Sequence, residues 1–258
     1  MNKEMMQCPF SRAKLRIHAS QDARAVVLIC PGGGYNHVSE REGEPVARAL
    51  AGYGYASAIL DYTVADGNSP TPLGTLPLRE AAWAIRAIRE KTDKKVFACG
   101  FSAGGHLAAT LGVHWDDAAI FPEENLRRLQ RPDGLILCYA VLSSGEKTHE
   151  GSILDLAGTD AALRAYFCLE KHVNAQTPPA FLWHTAADDC VPAENSLLFF
   201  QALRKAGVSA ELHIYPFGAH GLSLATPELE QPEKRRYADA HIATWIELCA
   251  GWLDLQNR

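Results

Sequence analysis

The chain has 258 residues and 47% hydrophobic content, which suits one large α/β domain with a sizeable core better than two small ones. Its 25 Lys and Arg against 30 Asp and Glu give a formal net charge of −5, so nothing electrostatic points to a nucleic acid or an anionic membrane as partner. Seven cysteines with no CxxC pair argue against a zinc site built from local cysteine motifs, and they read as buried free thiols in a reducing cytoplasm.

The N-terminal MNKEMMQCPFSRAK lacks the apolar stretch of a secretory signal, and no apolar run reaches the roughly 18 residues of a membrane span, so a cytoplasmic chain without a membrane partner is expected. AVVLIC (25–30) reads as a strand running into PGGGY (31–35), and YASAIL (55–60) as a second, after a glycine-punctuated turn. In LREAAWAIRAIRE (78–90), Leu78, Ala81, Ala82, Ile85 and Ile88 form one apolar helical stripe. KVFACG (95–100) is a strand leading into a helix, HLAATLGVHW. GLILCYAVL (134–142) follows a Pro-Asp-Gly turn signal. Residues 144–179 are less regular, either a small partial cap or a crossover segment. AFLWHTA (180–186) follows two prolines. PAENSLLFFQALRKAG reads as a helix with Pro192 near its start and Gly207 as its stop. AELHIY (210–215) is the last strand, and KRRYADAHIATWIELCAGWL a terminal amphipathic helix. Apolar strands separated by helices predict a mostly parallel sheet covered on both faces through right-handed crossovers.

The stretch GFSAGGH (100–106) places one serine among small residues where a strand becomes a helix. A nucleophilic serine needs an exposed hydroxyl, a base for its proton and donors for the developing oxyanion. Gly100, Ser102 and Gly104 fill the G-x-S-x-G pattern of a strained strand-turn-helix, although a glycine-rich helix start with an incidental serine would look alike. PGGGY upstream offers main-chain N–H groups without Cβ obstruction, and Gly33, Gly34 and Ala103 are the expected oxyanion donors. A phosphate loop is the weaker reading, because no Lys-Ser/Thr follows the glycines.

The chain order Ser, acid, base points to Asp188, in the turn after AFLWHTA, and His220, in GAHG after the last strand. Asp189 reads as a capping or solvent-facing neighbour. Of the ten histidines only His220 combines order with a strand-end position: His106, His184, His213 and His241 sit within helices or strands, and His149 precedes the acid. Tyr35, Trp115 and Trp183 could line a sugar site, with core packing the preferred reading.

In that order the glycine loop, GFSAGGHLA, DDCVPAENSL and FGAHGLSLA resemble the α/β-hydrolase superfamily. CPGGGY with REGEPVARAL, HEGSILDL, LEKHV and TPPAFLWHTAADD is similar to the small esterases described as xylanase-like or acetyl-xylan-esterase-like sugar hydrolases, over the chain after about residue 15. The resemblance implies a single α/β-hydrolase domain over 1–258, a Ser102–Asp188–His220 triad, a glycine oxyanion loop, and hydrolysis of short acyl esters, acetyl groups on sugars among them. It implies no cofactor and no metal, a small-molecule ester as partner, and is compatible with a homo-oligomer. Two stretches depart from the family pattern: Tyr139-Ala140-Val141 stands where aromatic-Pro-Val is usual, and Tyr62-Thr63 where Tyr-Arg is usual. Neither is expected to touch the catalytic set. An amidase, peptidase or arylformamidase using the same triad stays open, as does a non-catalytic binding protein on this fold.

Overall fold

A computed structural model describes residues 2–67 and 71–258. In chain order the elements are β1 (Asn2–Gln7), β2 (Lys14–Ala19), β3 (Val26–Cys30), α1 (Glu44–Gly52), β4 (Ala56–Asp61), α2 (Leu76–Arg89), β5 (Val96–Phe101), α3 (Ala103–His114) and α4 (Glu124–Gln130). They continue with β6 (Leu135–Cys138), α5 (Glu150–Ala157), α6 (Ala161–Tyr166), β7 (Ala180–Thr185), α7 (Glu194–Lys205), β8 (Ala210–Tyr215) and α8 (Trp245–Gln256). Among the described residues the strands form one eight-stranded sheet in the order β1-β2-β4-β3-β5-β6-β7-β8. From β4 through β8 neighbouring strands are parallel, while β1–β2 and β2–β4 pair antiparallel.

Alternation along the strands sorts the core into two layers. Leu28, Ala58 and Leu60 pack on the same side as Leu78 and Ile85 of α2, whereas Val27, Ile29, Ile59 and Phe97 pack with Val46 and Leu50 of α1 and Trp245 and Leu253 of α8. Phe199 and Leu203 of α7 meet Leu135, Leu137 and Leu182. The mostly parallel, doubly covered sheet expected from the sequence is the one the chain forms.

The structure revises four details. The hairpin of β1 and β2 is not among the predicted elements; Leu15 and Ile17, buried between Lys14 and the partly exposed Arg16, carry its period-two signal. The run 134–142 is strand only over Leu135–Cys138, because Tyr139 turns to φ 37° and the next residues bond outside the ladder: the Leu142 and Ser143 N–H groups donate to Asn195 Oδ1. Their apolarity reflects burial, not pairing. The last helix begins at Trp245, not near Lys234, since Asp189 pairs with Arg235 in an earlier turn and Asp239 caps the His241 and Ile242 N–H groups before the helix starts. His241 is therefore outside that helix. Finally, six cysteines are buried free thiols, but Cys190 is exposed.

Residues 144–179 connect β6 to β7 through α5, α6 and a 3-10 turn at Leu169–Lys171. They lie against α3: His106 Nε2–H donates to the Phe167 carbonyl at 3.2 Å and His114 Nε2–H to the Tyr166 carbonyl at 3.0 Å. Among the described residues no helix is long and apolar enough to cross a membrane.

Candidate active site

From β3 the chain crosses to β4 on one side, and β5 lies on the other, so the loops leaving β3 and β5 diverge around a crevice at the strands' carboxyl ends. PGGGY leaves β3 there and Ser102 leaves β5. Ser102 has φ 52° and ψ −118°, a conformation costly for an L residue, held by its N–H donating to the Cys138 carbonyl and its carbonyl accepting the Val141 and His106 N–H groups. The tight approach needs glycine nearby: a Cβ on Gly104 would lie 2.0 Å from the Cys30 carbonyl oxygen.

The three predicted side chains meet. Ser102 Oγ–H donates to His220 Nε2 at 2.8 Å, and His220 Nδ1–H donates to Asp188 Oδ2 at 2.7 Å. Asp188 lies in the turn after β7, its side chain fully buried, with Oδ1 accepting the Cys190 and Val191 N–H groups. Burial alone pushes that carboxyl up, but hydrogen bonds from His184 and His220 and the Val191 N–H outweigh it and hold the group well below the usual carboxylate range. Asp189, as expected, is a surface neighbour, paired with Arg235.

His184, structural by its place within a strand, also serves this acid. Its Nε2 faces the Val191 carbonyl at 2.9 Å and Asp188 Oδ2 at 3.4 Å, both acceptors, so Nε2 carries the proton and Nδ1 accepts the Ser196 hydroxyl at 2.8 Å. The loop of His220 is pinned as well, with Arg236 Nε–H donating to the His220 carbonyl and Arg41 to that of Gly221.

Gly33 and Gly34 line the cleft beside Ser102 with φ of 127° and 64°, and no described acceptor takes either N–H. Ala103 is the first residue of α3, where helix N–H groups have no intrahelical partner. Glu42 lies beneath the loop, its carboxylate accepting the Gly32 N–H at 2.8 Å and the Tyr139 hydroxyl at 2.6 Å. Tyr139, the aromatic of the aromatic-Pro-Val pattern, also stands edge-on to His220, with 5.1 Å between ring centroids, whereas the departure itself is Ala140.

The cleft holds about 190 Å³ and is also lined by Asn36, His37, His149, Lys234 and Arg236. A roomier hollow of about 430 Å³ lies at Val26 and Ala56, the amino ends of β3 and β4, and none of Ser102, Asp188 and His220 lines it. Chain order hides His149, because it precedes the acid in sequence. Lys234 and Arg236 are hidden in the expected terminal helix, against which Pro232 is the available signal. Tyr35 and Trp183 are core residues, and none of the three aromatics considered for a sugar site lines the cleft.

The sequence matches the BD-FAE family across residues 15–203, well over half of its length. The chain belongs to the BD-FAE family. A second match, to the prolyl oligopeptidase family, covers residues 159–251 and so takes in His220. This BD-FAE chain is 39% identical over 221 residues to an endo-1,4-beta-xylanase B of Butyrivibrio fibrisolvens, which is 82% of this chain and 34% of that protein. It is 30% identical over 217 residues to an acetylxylan esterase of Xylanibacter ruminicola, 79% of this chain and 42% of that protein. The chain thus spans well under half the length of these curated relatives. An acetyl ester-xyloside bifunctional hydrolase from Caldicellulosiruptor lactoaceticus has the same fold, with a TM-score of 0.80 at 37% identity over 96% of this chain and 89% of that one. The sheet and its helices are those of an α/β-hydrolase.

Proposed function

We propose that this BD-FAE chain is a serine hydrolase of carboxylic esters that removes short acyl groups, acetyl first among them, from carbohydrate hydroxyls. The observation that carries the reading is the continuous relay from Ser102 Oγ through His220 to Asp188, with contacts of 2.8 and 2.7 Å. His220 takes the serine proton as Oγ attacks the ester carbonyl, and Asp188 fixes the imidazole tautomer and stabilises the imidazolium. The N–H groups of Gly33, Gly34 and Ala103 receive the oxyanion. His220 then protonates the leaving alcohol, and water repeats the cycle on the acyl-enzyme. No step draws on a metal or a cofactor. The small cleft suits an acetyl group, and the xylan-directed names of the relatives support a sugar as the alcohol.

The same proposal takes 1–258 as one domain, in which 144–179 is a crossover that carries His149 to the cleft. It places the protein in the cytoplasm, where its seven free thiols stay reduced. The prolyl oligopeptidase match favours one competing reading, an amidase with the same residues. Acetate release from an O-acetylated methyl xyloside by wild type, abolished in Ser102→Ala, supports the esterase. Turnover of the matched N-acetyl amide in preference to the ester sinks it and favours the amidase.

A further inference from the structure

His149 caps α5 with a side chain rarely used for that purpose. Its Nδ1 accepts the Ser152 N–H at 3.3 Å and the Ser152 hydroxyl at 2.8 Å, where Ser, Thr, Asp or Asn would normally accept. An imidazole nitrogen that accepts has no proton, so the ring's single proton is on Nε2. Burial and the neighbouring His220 lower the affinity of this ring for a second proton, which keeps it in that neutral form. No acceptor among the described residues takes the Nε2–H, yet the ring lines the cleft that holds Ser102 and His220. The pair abuts the oxyanion loop: a Cβ placed on Gly34 would lie 3.9 Å from Ser152 Oγ.

The ligand for this donor follows from counting acceptors on an acetyl ester, and the count rests on the esterase reading above. The carbonyl oxygen is taken by the main-chain N–H groups, and the alkoxy oxygen receives its proton from His220. The methyl group offers none. Any further acceptor belongs to the alcohol. We infer that His149 is a specificity-determining residue whose Nε2–H donates to a hydroxyl or ring oxygen of a polyhydroxylated leaving alcohol, so that a sugar ester is preferred over an ester of an alcohol lacking such oxygens.

The test compares kcat/KM for an O-acetylated methyl xyloside with that for phenyl acetate, whose aryl leaving group carries no further oxygen. The decisive variant is His149→Asn, which restores a strong N-cap for α5 but is too short to place a donor where Nε2 stands. His149→Phe removes both cap and donor. The xyloside-to-aryl ratio should fall about 10-fold in each, the size expected for one uncharged hydrogen bond, while the melting temperature falls only in the Phe variant. A ratio unchanged in His149→Asn, whether neither rate moves or both drop together, overturns the inference and leaves His149 a helix cap. A wild type that cleaves neither ester overturns the esterase reading itself, and this inference with it.

Discussion

Glu42 holds the Gly32 N–H at 2.8 Å from a buried carboxylate whose other oxygen accepts the Tyr139 hydroxyl. Tyr139 in turn accepts the Ser223 N–H at 2.9 Å, close behind His220, so one side chain sets the glycine loop against the loop of His220. Glu42→Gln turns an amide NH2 toward one of two donors that have no acceptor to spare. Activity should fall roughly 10- to 100-fold, in kcat more than in KM, because the loss is of positioning in the transition state. Tyr139→Phe leaves the Ser223 N–H without its acceptor and should cost about 1–3 kcal/mol of stability in a denaturant titration.

Asp188→Asn keeps the packing but turns an amide NH2 toward either His220 or the Cys190 and Val191 N–H groups, all of which donate. Its effect should approach a 10⁴-fold loss in kcat, as in other triads of this kind. Because Asp188 is held well below the usual carboxylate range, it stays ionised through mild acid. A pH–rate profile of the wild type should therefore show its acid limb without any contribution from this carboxyl. A variant retaining more than a tenth of wild-type kcat would remove Asp188 from the mechanism.

His106 and His114 are both buried, and burial lowers each from the ordinary histidine value to about 4. The unfolded chain binds their protons from about pH 6.5 downward while the folded chain does not until about pH 4, so stability is full above the upper value and declines between the two. Each ring contributes on the order of 1–3 kcal/mol to that decline. Melting temperatures measured from pH 7 to pH 4.5 should fall, and the fall should be shallower in His106→Gln. His106 also accepts the Tyr35 hydroxyl at 2.9 Å on Nδ1, which ties the glycine loop to α3.

Two glycines in helices should respond in opposite directions to alanine. Gly104→Ala drives a methyl group into the Cys30 and Pro31 carbonyls, at 2.0 and 2.3 Å, and should abolish folding or activity. A methyl group on Gly251 in α8 would meet nothing within 4 Å, and Gly251→Ala should stabilise by about 0.5–1 kcal/mol through helix propensity. Thermal melts of the two variants check both signs.

The parallel strands are legible because Val26–Cys30 and Val96–Phe101 are buried on both faces and therefore uninterrupted in sequence. The proposed triad is legible because Ser102, Asp188 and His220 each follow the carboxyl end of a strand in the required order. What escapes has its partners far along the chain. Glu42 reads as one charge in REGEP until Gly32 and Tyr139 close around it, and His184 reads as a strand residue until Asp188 turns back beneath it. Residues 139–142 look like a strand because burial makes them apolar, and only the hydrogen bonds of Val141 to Ser102 and of Leu142 to Asn195 show otherwise.

The central claim is that Ser102 is the nucleophile. The most direct measurement is peptide mapping by mass spectrometry after reaction with a fluorophosphonate, which phosphonylates activated serines. The account predicts one adduct per chain, on the peptide containing Ser102, with esterase activity lost in proportion to labelling. Stoichiometric labelling at a different residue, or undiminished ester turnover by Ser102→Ala, would contradict it.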